Sequence, residues 1–207
     1  MAQIDSQGIR YSKEDHYYIV GDSANTDKDN NTDINKNLKR AIIESRINGI
    51  KVTAIGKYAF RFSTSLESAF IPNTIKELRH DCFSNNKKLT NIEFASDSQL
   101  KIIDHGTFYG TSLNIVNLPK SIRELRYLCF GRTSIDTLFA CSNLKTIDNN
   151  LFGTPDVHLI AYPSVIHVNE RYSLPNFGGC TINNITFKQE SKGETDSTTN
   201  TAKPVAQ

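Results

Sequence analysis

Apolar positions return along the middle of this chain at a spacing that neither a helix nor a single strand produces. Phe60, Phe83, Phe108, Phe130 and Phe152 lie 23, 25, 22 and 22 residues apart. Eight residues before each phenylalanine stands an aliphatic residue: Val52, Ile75, Leu100, Ile122 and Leu144. Three further on comes a second: Ile55, Leu78, Ile103, Leu125 and Ile147. Beyond each phenylalanine follow Leu66, Leu89, Leu113, Ile135 and, more weakly, Val157; then Ala69, Ile92, Val116, Leu138 and Ile160; then Ile71, Phe94, Leu118, Ala140 and Tyr162. Polar residues fill the gaps between these columns.

A unit of 22–25 residues cannot bury its apolar side alone, so successive units must stack as coils that share one core. Within a unit, "LTNIEF" and "LNIVNL" predict a short strand whose side chains alternate between two faces. Pro72, Pro119 and Pro163 stop that strand, because proline lacks the N–H a ladder requires. "SIREL" predicts a second short extended segment, and "RFSTS", "SNNKK", "YGTS" and "GRTS" a polar turn at the coil corner. A unit this short leaves no room for a long helix. The predicted fold is a β-rich solenoid of about five coils, with short parallel strands and a cap at each end.

The first coil of such an array has an open apolar edge that a cap must cover. Residues 1–46 are expected to form it, with strands at Ile9–Tyr11 and Tyr17–Val20, a polar insertion over about residues 21–40, and Ala41–Ile47 as the strand leading into the first coil. The repeats are expected over 47–163 and a C-terminal cap, where the period is lost, over 164–187. Residues 188–207 have almost nothing to bury and are expected to be a disordered tail.

Composition narrows the functional classes. Lys and Arg number 24 against 22 Asp and Glu, so there is no basic excess of the kind nucleic acid selects. No apolar run approaches the roughly 18 residues of a membrane span, and "MAQIDSQGIRYSKEDHYY" lacks the apolar stretch of a secretory signal.

Few residues suggest chemistry. "DKDNNTDINKNL" sets Asp27, Asp29, Asn31 and Asp33 at alternate positions, as a calcium loop does. Such a loop needs Gly at its sixth position and Glu at its twelfth; here Thr32 and Leu38 stand there, and a solvated insertion is the better reading. His80 and His105 share a column with Asp81 and Asp104 nearby, short of the ligand set zinc requires. Cys82 and Cys129 lie two coils apart, about 10 Å, too far for a disulfide, so they read as buried thiols. Whether Cys141 and Cys180 pair is left open. Sequons begin at Asn30 and Asn184 and matter only in a secreted protein. No phosphate loop or catalytic set stands out, and no cofactor is expected.

The segment "INGIKVTAIGKYAF", Ile47 to Phe60, resembles the entry into the first full unit of BspA-like leucine-rich repeats, which read L-x-x-I-x-I-P-x-x-V-x-x-I-G-x-x-A-F. The resemblance covers about residues 41–175. The Ile-Gly step survives only at Ile55-Gly56, and the Ala before Phe becomes Cys82, Thr107, Cys129 or Leu151, as in a divergent member. The resemblance implies a surface or secreted protein that adheres to host proteins or cells. The expected function is therefore a non-enzymatic protein-binding module of the adhesin type, with an intracellular scaffold or structural protein as the alternative.

Two surfaces are candidate sites. On the strand face the outward columns are Ser68, Asn91, Ile115, Thr137, Leu159 and Phe70, Glu93, Asn117, Phe139, Ala161, with Phe70 and Phe139 as possible interface anchors for a protein ligand. The second is a column of cations, Lys76, Lys101, Arg123 and Lys145, fit for an acidic partner such as an anionic glycan or a carboxylate-rich protein. Glu77, Glu124, Asp104 and Asp148 lie near these cations in sequence and are expected to neutralise part of their repulsion.

Overall fold

The columns of the sequence become columns in space because each coil hydrogen-bonds through its backbone to the next. The computed structural model describes residues 2–22, 37–135, 137–139, 144–148 and 151, and the strand segments 156–161, 167–168, 176–177 and 180–187. Most of the calcium-type loop, Asn30, Phe152, Cys141 and the tail 188–207 lie outside the described residues, as do the side chains of Phe139 and Cys180.

The chain opens with β1 (Gln3–Ile4), β2 (Arg10–Glu14) and β3 (Tyr17–Val20), an antiparallel meander. β4 (Arg40–Ile42), β5 (Arg46–Ile47) and β6 (Ile50–Ile55) follow. Each later coil contributes two strands: β7 (Ser68–Ile71) with β8 (Glu77–Leu78), β9 (Asn91–Phe94) with β10 (Ile102–Ile103), and β11 (Ile115–Asn117) with β12 (Glu124–Leu125). β13 (Thr137–Phe139) with β14 (Thr146–Ile147) and β15 (Asp156–Ala161) with β16 (His167–Val168) continue the series. β17 (Asn176–Phe177) and β18 (Cys180–Phe187) pair as an antiparallel hairpin, and β18 also runs parallel to β15. No helix occurs among the described residues. This is the β-rich solenoid that the spacing predicts.

The second strands of the coils, β6, β8, β10, β12, β14 and β16, pair in parallel and align Ile55, Leu78, Ile103, Leu125, Ile147 and Val168. On another side β4, β7 and β9 align Ala41, Ala69 and Ile92, and β11, β13 and β15 align Val116, Leu138 and Leu159. The phenylalanines form the core between them. Phe60, Phe83, Phe108 and Phe130 are fully buried, and their rings stack with centroids 4.9, 5.6 and 5.5 Å apart. Their backbone is tied the same way: the N–H of Phe60 donates to the Cys82 carbonyl at 2.7 Å, Phe83 to Thr107 at 2.9 Å, Phe108 to Cys129 at 2.8 Å and Phe130 to Leu151 at 3.0 Å. Small or apolar residues precede each phenylalanine because that position is buried against the next coil; Cys82 and Cys129 are free thiols there, pushed up in pKa by burial.

Turning the chain around each phenylalanine requires left-handed backbone twice per coil. Tyr58, Asp81, Gly106 and Leu128, two residues before the ring, have φ of 61°, 53°, 61° and 52°. Phe62, Asn85, Gly110 and Arg132, two residues after it, have 57°, 60°, 68° and 50°. Side chains at these positions carry a strain of about 1–2 kcal/mol each, which the inter-coil bonds offset. The lone Ile-Gly step has a separate cause. The N–H of Gly56 donates to the Val20 carbonyl at 2.8 Å, and a Cβ there would sit 2.6 Å from that oxygen. Gly56 is where the N-terminal meander docks, through β3 on β6.

Two expectations change. Ala41–Ile47 is not one lead-in strand: it breaks into β4 and β5, and β4 already lies in the ladder beside β7. Leu38, Ala41 and Ile43 repeat the spacing of Leu66, Ala69 and Ile71, which explains the placement. At the other end the register slips by one residue, so that Leu159 rather than Ile160 pairs with Leu138, and His158 and Ile160 rather than Leu159 and Ala161 stand opposite Thr137 and Phe139. A one-residue slip exchanges the two faces of a strand, and "HLIA" is apolar enough on both phases to allow it.

Replacing Phe108 by Ala removes a ring stacked on both sides. It should lower stability by about 3–5 kcal/mol in denaturant unfolding; a loss below about 1 kcal/mol would mean the stack is not the core.

Candidate functional site

The strand face is built from residues one position off the core columns. Backbone pairing sets Ile42, Phe70 and Glu93 side by side, as it does Asn117 and Phe139. Ile42 is 48% exposed, Ile115 56% and Asn117 is exposed, whereas Phe70 is half-buried and a weaker anchor than its position suggests. Glu93 is not free: Arg40 reaches it at 3.5 Å and the Asn91 amide donates to it at 2.8 Å. Arg40 and Ile42 extend this face by one coil, and sequence reading missed them because Leu38 follows a long polar run. The Leu38-x-x-Ala41-x-Ile43 spacing was the available signal. The outer edge of β4 is closed by Gln7, whose side-chain amide donates to the Ile42 carbonyl at 2.7 Å and accepts from the Ile42 N–H at 3.0 Å. That amide copies a strand neighbour and leaves no open ladder there.

The four cations of the column are held in step by their backbones. The N–H of Lys101 donates to the Lys76 carbonyl at 2.9 Å, Arg123 to Lys101 at 2.8 Å and Lys145 to Arg123 at 2.8 Å. Lys76, Lys101 and Lys145 are exposed and Arg123 is half-buried. Of the four acids expected to neutralise the column, three pair with arginines. Glu77 accepts from Arg79 at 3.3 Å, Glu124 from Arg126 at 3.1 Å, and Asp104 from Arg126 at 3.2 Å. Residues i and i+2 share a face of an extended segment, so Glu77 pairs with Arg79 and Glu124 with Arg126.

Arg79 also clamps the N-terminal meander. Its guanidinium donates twice to the Glu14 carboxylate, at 3.0 and 3.1 Å, and the Tyr17 hydroxyl donates to the same group at 2.9 Å. The hydrogen bonds from Arg79 hold the Glu14 carboxyl below its ordinary pKa. A cleft of about 270 Å³ lies beside the clamp, lined by Tyr17, Thr53, Ala54, Lys76, Glu77 and Arg79.

The histidine pair lies on the outer side of the coil corner, in an aromatic run of Tyr58, His80, His105 and Tyr127 with centroids 5.4, 4.7 and 4.9 Å apart. Asp81 accompanies His80 at 3.2 Å. Among the described residues no three His, Cys, Asp or Glu side chains converge as metal ligands.

Comparison with known proteins agrees with this geometry. Residues 32–158 match the BspA type leucine rich repeat region in six copies. Curated protein sequences yield no match. Among solved structures, the chain is similar to the pneumococcal vaccine antigen PcpA, with a TM-score of 0.65 at 17% identity over 91% of this chain and 50% of that one. It is similar to a leucine-rich repeat protein from Bacteroides ovatus, with a TM-score of 0.60 at 19% identity over 84% and 44%. A leucine rich cell surface protein from Faecalibacterium prausnitzii gives 0.55 at 17% over 92% and 55%. At these identities the likeness is one of fold. The chain spans about half the length of these structures.

The Glu14–Arg79 clamp makes a pH prediction. A carboxylate with a lowered folded pKa adds stability above its unfolded pKa and loses it as pH falls through the folded one. Glu14→Gln should therefore lower stability by about 1 kcal/mol at neutral pH, and its melting curve should converge on wild type in acid. A difference that persists undiminished at low pH would contradict the clamp.

Proposed function

We propose that this chain, which belongs to the BspA-type leucine-rich repeat family, is a non-enzymatic protein-binding module of the adhesin type, displayed at the cell surface or secreted. Leucine-rich repeat folds serve as interaction modules through long faces of this kind. The observation that carries the reading is the strand face: two parallel ladders, one setting Ile42, Phe70 and Glu93 in a row and the other pairing Asn117 with Phe139. Exposed Ile42 and Ile115 and a half-buried Phe70, beside the Arg40–Glu93 ion pair, suit a protein partner better than a small substrate. Among the described residues the core behind that face is filled mainly by Phe, Ile and Leu. Likeness in fold to a vaccine antigen and to a cell surface protein favours an extracellular display. No helix of the described residues is long and apolar enough to cross a membrane.

The test has two parts. A membrane-impermeant label on intact cells should modify the protein; labelling only after lysis would favour the intracellular scaffold. Purified protein should bind at least one member of a panel of purified host surface proteins. Ile42→Glu with Asn117→Arg, both at exposed positions, should weaken that binding about tenfold or more with thermal stability nearly unchanged. Equal binding by the double variant would remove the strand face from the reading.

A further inference from the structure

We propose that the cation column is a second binding site, which takes an anionic polysaccharide lying along the solenoid axis. The backbone bonds between Lys76, Lys101, Arg123 and Lys145 place the four cations at successive strand spacings of about 4.8 Å, a run of about 14 Å. Such a column repels itself, and the fold does not require it. Thr53 occupies the same position in the preceding coil, accepting the Lys76 N–H at 2.8 Å, without a charge.

Contrast with the adjacent column isolates the feature. Arg79, Asp104, Arg126 and Asp148 occupy the next outward ladder, bonded respectively to Ile55, Leu78, Ile103 and Leu125 of the preceding coil, and there the sign alternates. Arg126 pairs with Asp104 at 3.2 Å and with Glu124 at 3.1 Å; Arg79 pairs with Glu14 at 3.0 Å and with Glu77 at 3.3 Å. Glu77, Asp104 and Glu124 are thus engaged one column away. Among the described residues, Lys76, Lys101 and Lys145 enter no ion pair. Three exposed ammonium groups in register, with Glu77, Asp104 and Glu124 held by arginines, form a line of positive charge that has no ion-pair partner among the described residues.

Spacing selects the partner. An extended acidic peptide repeats its side chains on one face every two residues, about 6.7 Å, and falls out of step with the coils. A polysaccharide with one carboxylate or sulfate per sugar advances by about one coil spacing per ring. Lysine suits it, because a flexible four-carbon stem carrying a point charge follows a polyanion without demanding a fixed bidentate geometry. At its first coil the column opens on the cleft of about 270 Å³ lined by Tyr17, Thr53, Ala54, Lys76, Glu77 and Arg79, where a terminal sugar meets the Tyr17 ring and Lys76 while the Glu77 carboxylate is engaged by Arg79.

The test uses the full chain with labelled heparin-derived and oligogalacturonate fragments, and oligoglutamate of matched charge, read by fluorescence anisotropy at low and high salt. Lys76→Gln, Lys101→Gln and Lys145→Gln together should weaken binding of at least one glycan about tenfold, as loss of three exposed ion pairs implies, and flatten its salt dependence. Lys57→Gln, Lys87→Gln and Lys88→Gln remove the same charge from exposed lysines elsewhere and should change binding less than about twofold. Both triple variants should melt with wild type, and the strand-face variant should bind glycan normally, which keeps this site distinct from the proposed protein-binding face. Equal losses in the two triple variants, tighter binding of oligoglutamate than of either glycan, or no saturable glycan binding by wild type would each overturn the proposal.

Discussion

Every feature of this molecule depends on one contact: the backbone hydrogen bond that each phenylalanine makes to the coil after it. Four such bonds, 2.7 to 3.0 Å long, hold Phe60, Phe83, Phe108 and Phe130 one strand spacing apart. At that spacing the rings must stack nearly parallel, and they do, to within 12°. The two strand ladders, the buried residue before each ring and the two left-handed turns flanking it follow from the same geometry. A repeat bonded in this way is periodic in its surface as well as its core, so any residue type that recurs in the sequence recurs as a line in space.

That consequence separates the two candidate surfaces from ordinary exposed residues. The lysine line is not a statistical excess of charge, since the chain's net charge is only +2. It is an arrangement, produced by putting a cation at one position in four coils while Glu77, Asp104 and Glu124 pair with arginines. The strand face is built by the same rule, but its members differ from coil to coil, as in a surface shaped to one partner.

The core was legible in the sequence because its columns combine fixed spacing with an apolar requirement. Phe108 and Leu125 could hardly sit elsewhere. The ends were less legible, and for physical reasons. Ala41 is small, and Leu38 follows a polar run, so the first ladder strand carried too little apolar signal to be told from a lead-in. Leu159 and Ile160 are equally suited to a buried position, so spacing alone could not fix the register of β15. Docking of the meander depends on contacts far apart in sequence, Glu14 with Arg79 and Gln7 with Ile42, and a repeat pattern is silent on those. The direction of Glu77 and Glu124 could have been read: in an extended segment a carboxylate two residues before an arginine shares its face. Reading sequence neighbours as spatial neighbours hid it.

The central claim is that the coils are held as one unit by the bonds behind the phenylalanine stack. Hydrogen exchange on the amides of Phe60, Phe83, Phe108 and Phe130 addresses it directly. The account predicts slow exchange at all four with similar protection, approaching the stability of the whole array. Rapid exchange at Phe83 or Phe108 while the others stay protected would contradict it, because an interior coil would then open without its neighbours.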